Sequence, residues 1–334
     1  MREISRNITL QGFGKITEDS GFVEIDKCSD TYYERNKDGV TNLLSTGDKK
    51  VELIGFENRT LAYVKSSLGY PAYYPVLSVE REKPVRAVVM DLDGTTVKSE
   101  EFWIWIIQKT VRSLLDSHTF ELEDRDLPFV SGHSVSEHLK YCINKYIPEK
   151  SIEEAKEYYF LHTHHEMQEI MVGRGRSGAF KPNEGIRDFL LYLKGEKIRI
   201  GLVTSGLYEK AYPEILSAFQ SINLGDPKSF YDCIITAGYP LRKGSVGTLG
   251  ELEAKPHPWL YNEVCCVGLG IPREERNTVI GIEDSGAGVC SVRLAGYYTV
   301  GIAGGNIEVS GNRGMCHSMC QSFKEIQELI TEGR

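Results

Sequence analysis

From position 85 onward, short apolar-dominated runs alternate with longer stretches in which apolar residues recur every three or four positions. The runs at 87–90, 198–203, 233–236, 279–282 and 298–302 are too short for helices and fit strands buried on both faces of a parallel sheet. Around them the pattern predicts helices at 185–193, at 207–219 with an early interruption at Pro213, from Lys255-Pro256-His257-Pro258 to about 268, and at 323–330. Repeated strand–helix units predict an α/β fold whose parallel sheet carries helices on both faces.

Two stretches depart from this alternation. After Ser99, an N-cap followed by Glu100 and Glu101, the apolar residues Phe102, Ile106, Val111 and Leu114 predict a helix. A second helix is predicted at 134–146, and Ser151 with Glu154 forms a capping box opening a third towards Val172. No buried strand interrupts them, so 98–181 is expected to be an all-helical insertion between core segments 85–97 and 182–334. Residues 1–84 are rich in Asn, Asp, Gly and Tyr and contain short alternating pieces such as Val51-Glu52-Leu53-Ile54. They predict a small strand-and-loop extension; whether it packs on the core or mediates oligomerisation is left open.

Composition narrows the classes. With 41% apolar and 26% charged residues the chain can build a packed core. Its net charge of −8, without basic clustering, argues against a nucleic-acid partner but not against small anions met by local positive charge. No apolar run approaches the ~20 residues of a membrane helix. The opening MREISRNITLQGFG lacks a signal peptide's apolar centre, so the expected location is cytoplasmic. The eight scattered cysteines are then expected to be reduced thiols. Cys316-His317-Ser318-Met319-Cys320 has no second ligand pair and reads as a buried strand rather than a zinc site, while His162, His164 and His165 read as an exposed helix face.

Three predicted strands end in polar clusters: Asp91 and Asp93; Thr204, Ser205 and Gly206; Glu283 and Asp284. Lys255 opens a helix. Two residues apart on an extended chain, Asp91 and Asp93 point to the same side, at the strand end where open α/β sheets bind ligands. Acids so close repel unless a cation or proton separates them, and hard oxygen ligands with room for water suit Mg²⁺. If the strands are neighbours, one crevice gathers a nucleophilic carboxylate, hydroxyl donors, an ammonium and a second acidic pair.

In residues and order this set resembles the four motifs of the haloacid dehalogenase-like (HAD) superfamily. Asp91-Leu92-Asp93-Gly94-Thr95 looks like the first, Thr204 the second, Lys255-Pro256 the third and Glu283-Asp284-Ser285 the fourth. The likeness covers roughly residues 85–334 and implies a Rossmann-like parallel-sheet core with an inserted helical cap. It further implies that Asp91 attacks phosphorus to give an acyl phosphate, and that Asp93 serves as general acid and then base. By the same likeness Thr204, Ser205 and Gly206 hold phosphoryl oxygens with Lys255. Mg²⁺ would sit on Asp91, the Asp93 carbonyl and Asp284, with Glu283 binding it directly or from one step behind.

Within that superfamily the insertion looks like the cap of a branch containing small phosphomonoesterases, β-phosphoglucomutase and phosphonoacetaldehyde hydrolase. Asp93 counts against the last, which carries a small residue there. Mutases of the branch resemble this chain less: they carry a hinge histidine where Trp103 aligns, and an arginine after the cap glycine where Gly132-His133-Ser134 leads to Val135. The favoured expectation is a Mg²⁺-dependent phosphatase acting on a small phosphorylated metabolite such as a sugar phosphate. A phosphosugar mutase is the alternative, and a non-catalytic phosphate-binding module a third reading. His133, Ser134 and Ser136, on the loop before the second cap helix, are the candidates for substrate choice.

Overall fold

The computed structural model describes residues 2–4, 8–65, 71–130, 135–176, 178–236 and 255–332. The chain divides into two compact units, one of residues 1–95, 184–207 and 228–334, the other of residues 96–183 and 208–227.

In the first unit, the amino-terminal segment holds β1 (Arg2–Glu3), β2 (Ile8–Leu10), β3 (Gly14–Ile16), β4 (Val23–Glu24), β5 (Val40–Ser45), β6 (Val51–Phe56), β7 (Thr60–Val64) and β8 (Ala72–Pro75). Six of them form a sheet in the order β1-β4-β5-β6-β7-β8, antiparallel throughout, and β2 pairs with β3. Both faces of this sheet are covered. Leu44, Val51, Leu53, Ala62 and Val64 belong to one apolar cluster, whereas Val40, Leu43, Ile54 and Tyr63 belong to another with Cys28. That is why Leu43-Leu44 and Leu53-Ile54 are adjacent apolar pairs: successive side chains leave a strand on opposite faces.

The rest of this unit is built on a six-stranded parallel sheet. Its strands are β9 (Ala87–Asp91) and, after the short antiparallel pair β10 (Val97–Lys98) and β11 (Lys181–Pro182) of the other unit, β12 (Arg199–Thr204), β13 (Cys233–Thr236), β14 (Val279–Glu283), β15 (Tyr298–Ile302) and β16 (Ser318–Cys320). The order is β13-β12-β9-β14-β15-β16. The chain winds outward from β9 to β12 and β13, then returns to lay β14 against the other side of β9. A topological switch point therefore falls at β9 and β14, where sheets of this kind open a crevice at their carboxyl ends. β16 is a strand at the end of the Cys316–Cys320 cluster, but as the edge strand it is half-buried at Ser318 and Met319 and buried only at Cys320, not the buried strand expected.

Helix Gly286–Ala295, buried along its length, links the two sheets. Val292 and Ala295 pack with Val89 and Val279 of the parallel sheet, while Val289, Cys290 and Leu294 pack with the amino-terminal sheet. Gly281 permits the close approach, because a Cβ there would lie 2.3 Å from a Val292 methyl. The amino-terminal segment thus packs on the core, the alternative its sequence left open. Arg293, 3% exposed on the same helix, donates to the carbonyls of Leu77 and Gly12 and lies over the Phe13 ring. Burial pushes its pKa down to about 10.

The second unit is largely helical: Glu100–Leu115, Leu127–Val130, Val135–Tyr146, Ile152–Met171 and Tyr208–Ile222. Ser151 caps the long helix by accepting from the Glu154 N–H. Two details differ from expectation. Helix Tyr208–Ile222 runs through Pro213 without a break, and it groups with the inserted helices rather than with the parallel sheet. A proline six residues into a helix removes only one ladder bond, which the buried packing of Ala211, Ile215, Ala218 and Phe219 outweighs. His162, expected on an exposed face, is half-buried and bonded to Ser113 Oγ at 2.8 Å. No described helix is long and apolar enough to cross a membrane.

Candidate active site

The central strand β9 carries its apolar run Ala87–Met90 fully buried and delivers Asp91 to the carboxyl edge of the sheet. Register sets the neighbours. Val203 of β12 lies opposite Asp91, so Thr204 ends the strand on one side. Ile282 of β14 lies opposite Met90, so Glu283 and Asp284 end the strand on the other.

Lys255 bridges the acids. Its ammonium, 7% exposed, pairs with Asp91 and with Glu283 Oε1, the latter at 2.6 Å. One carboxylate oxygen each from Asp91, Glu283 and Asp284 lies within 4.8 Å of the others, the one such cluster among the described residues. Burial pushes the Asp91 carboxyl well above the usual range, Glu283 adds to this, and Lys255 opposes it. Burial and Glu283 likewise push Asp284 up to about 7, against the hydrogen bond from Thr95. Burial alone would lower the Lys255 pKa, but the charges of Asp91 and Glu283 outweigh it and raise it.

Glu283 accepts three hydrogen bonds. Its Oε1 accepts from Lys255 and from the Tyr261 hydroxyl at 2.6 Å, and its Oε2 accepts from Ser285 Oγ at 3.2 Å. Asp284 accepts from Thr95 Oγ1 at 2.9 Å through Oδ1. Gly94 lies so close to Asp284 that a Cβ would fall 2.1 Å from Oδ2, and its φ of +84° suits glycine. Asp91, Glu283 and Asp284 each bring an oxygen to this cluster, and hard oxygens so gathered suit a divalent cation.

The remaining expected residues are placed as follows. Asp93 follows on the turn after β9, half-buried, its charge raising the Asp91 pKa. Thr204 is buried, its Oγ1 accepting the Gly206 N–H at 2.9 Å, while Ser205 is exposed. Ser136 is half-buried in helix Val135–Tyr146 of the other unit, and His133 and Ser134 lie outside the described residues, as does the 238–254 loop. Sequence reasoning missed Tyr261, Thr95 and Asn306. Asn306 receives the Gly286 N–H on Oδ1 at 2.8 Å and donates its own N–H to the Asp284 carbonyl at 3.1 Å, fixing the turn after β14. Only Thr95 had a local signal, as the residue closing the Asp-Leu-Asp-Gly-Thr run.

Comparison with known proteins supplies the frame. Residues 88–237 match the family model described as "Haloacid dehalogenase-like hydrolase". Among solved structures, a predicted phosphoglycolate phosphatase from Haemophilus somnus 129PT is 15% identical with a TM-score of 0.53, covering 73% of this chain and 97% of its own. A mutant of CbbY from Rhodobacter sphaeroides, in complex with xylulose-(1,5)bisphosphate, is 18% identical with a TM-score of 0.50, covering 72% and 96%. A HAD-superfamily hydrolase, subfamily IA, variant 1, from Geobacter sulfurreducens PCA is 17% identical with a TM-score of 0.50, covering 75% and 99%. At these identities the likeness is one of fold. No curated protein matches the chain in sequence.

Proposed function

We propose that the chain is a haloacid dehalogenase-like hydrolase, a Mg²⁺-dependent phosphatase that hydrolyses a small phosphorylated metabolite, such as a sugar phosphate, through an aspartyl-phosphate on Asp91. The observation that carries this reading is the buried contact of Lys255 with both Asp91 and Glu283 at the carboxyl edge of the central strand. An ammonium held there opposes the burial that pushes the Asp91 carboxyl up, and leaves positive charge where phosphoryl oxygens would gather.

In the first step an Asp91 carboxylate oxygen bonds to phosphorus while the bond to the leaving oxygen breaks, and Asp93 gives that oxygen a proton. In the second, water bonds to phosphorus, Asp93 takes its proton, and the acyl phosphate breaks to inorganic phosphate and free Asp91. Thr204, with the N–H groups after it, and Lys255 hold the phosphoryl oxygens. Asp91, the Asp93 carbonyl and Asp284 would hold Mg²⁺, which when bound supplies charge against the phosphoryl group and brings the acids to their ionised forms. The helical insertion, residues 98–181 with its candidates His133, Ser134 and Ser136, acts in this reading as the cap that selects the leaving group.

The test is release of inorganic phosphate from a panel of phosphorylated metabolites and from p-nitrophenyl phosphate, with and without Mg²⁺. Wild-type turnover that needs Mg²⁺ and is abolished in Asp91→Asn is expected. Turnover retained in that variant removes Asp91 as nucleophile, and an isomerised sugar phosphate without free phosphate replaces hydrolysis by transfer.

A further inference from the structure

We propose that the amino-terminal sheet is a working part of the catalytic unit, with Tyr74 acting as a positioning residue for the Lys255 loop through His257. The inference rests on the phosphatase reading of the Lys255 site. Tyr74 lies on β8, the edge strand, and its hydroxyl bonds His257 Nδ1 at 2.7 Å. His257 is two residues after Lys255 and 1% exposed. The Trp259 Nε1–H donates to the same hydroxyl at 3.0 Å. Since an indole N–H only donates, the Tyr74 oxygen accepts from it, while the direction of the Tyr74–His257 bond follows the imidazole tautomer.

The loop is gripped from two sides. While Tyr74 holds the His257 ring, Ser291 Oγ on helix Gly286–Ala295 donates to the His257 carbonyl at 2.5 Å. The sheet that presents Tyr74 is itself anchored. Arg293 donates to the carbonyl of Leu77, just after β8, and to that of Gly12 in the β2–β3 turn, and the Gly47 and Asp48 N–H groups between β5 and β6 donate to the Gly311 and Ser310 carbonyls at 3.2 and 2.8 Å. Ser310 in turn donates its N–H to Asn306, which fixes Asp284 and Gly286. One antiparallel sheet thus braces the loop carrying the ammonium and, by way of 306–311, the turn carrying the acids. A lysine that serves two carboxylates and a phosphoryl group at once must hold its charge to within a fraction of an ångström.

The experiment uses the full chain with Mg²⁺ and p-nitrophenyl phosphate. Tyr74→Phe is expected to lower kcat by roughly three- to tenfold with KM little changed, because one hydrogen bond that places a charge is lost. Tyr73→Phe, on the other face of the same strand, should leave kcat as in wild type. His257→Ala should lower kcat as Tyr74→Phe does, the double variant should be no worse than His257→Ala alone, and His257→Asn should recover part of the rate by offering a polar atom near Nδ1. A Tyr74→Phe enzyme with wild-type kcat, or a double variant whose losses multiply, overturns the inference while leaving the phosphatase reading intact. Reduced thermal stability with unchanged kcat does the same, since it marks a merely structural contact. A wild-type chain without Mg²⁺-dependent turnover overturns both.

Discussion

Replacing Lys255 by methionine keeps the length of the side chain and removes its charge, so it isolates what the ammonium does. In the structure that ammonium is 7% exposed and faces the Asp91 and Glu283 side chains, 8% and 0% exposed. Breaking a buried ion pair on one side typically costs about 3–5 kcal/mol, because the remaining charge stays desolvated and unpaired. Here two carboxylates lose their partner, and Asp284 stands beside them. The acids have an escape: protonation. Asp91 and Asp284 already have raised pKa values, so the native state binds protons that the unfolded state releases, and stability falls as pH rises through the native values. Without the ammonium this dependence steepens. Urea unfolding of metal-free Lys255→Met should therefore show a loss of about 3–5 kcal/mol at pH 8 and a clearly smaller loss at pH 5. Added Mg²⁺ should restore part of the pH 8 loss, and turnover should be absent throughout. Equal stability of variant and wild type at both pH values would refute the reasoning, as would a larger loss in acid.

Three further outcomes follow from neighbouring contacts. Gly288→Ala would place a Cβ 1.9 Å from the Glu283 carboxyl carbon, so it should destabilise the chain by about 1–3 kcal/mol and sharply lower kcat, read by urea titration and steady-state kinetics. Tyr261→Phe removes the buried hydroxyl that donates to Glu283 and should cost about 1.5–3 kcal/mol of stability by the same titration. Burial and the nearby Arg293 charge push His317 down to about 3, so the unfolded state binds a proton the native state does not between there and the ordinary value of 6.5. Native stability should drop as pH falls through that window, by up to about 1.4 kcal/mol per pH unit, and His317→Gln should flatten the slope relative to wild type.

The parallel core and its site were legible because each signal was local. A buried strand announces itself by an unbroken apolar run, and Asp91, Thr204 and Glu283 each stand where such a run ends. What brings them together is strand order, and the return of the chain to lay β14 beside β9 is the one arrangement in which all three clusters flank a single strand end. The amino-terminal sheet was legible only as strands. Its antiparallel pairing depends on partners far along the chain, and with both faces covered the alternation that marks a half-buried strand is lost at Leu43-Leu44 and Leu53-Ile54. Arg293 could not be foreseen as buried, since its acceptors are carbonyls at positions 12 and 77. The role of Glu283 was equally hidden. Its position in an acidic pair suggested a residue holding the metal directly or from one step behind, and only the three-dimensional approach of Tyr261 and Lys255 shows the hydrogen bonds it also makes.

The central claim is that the Asp91 carboxylate takes the phosphoryl group, and the most direct measurement is mass spectrometry of peptides from acid-quenched Asp93→Asn protein after mixing with Mg²⁺ and a turned-over phosphate ester. With p-nitrophenyl phosphate as the ester, the leaving phenolate needs no proton from Asp93, whereas Asp93→Asn still removes the base for the second step, so a hydroxylamine-labile phosphoryl group should accumulate on the peptide containing Asp91 and be absent when Asp91 is also replaced by asparagine. A phosphoryl group on any other residue, or wild-type turnover with no phosphoryl-enzyme detected in either form, would contradict the account.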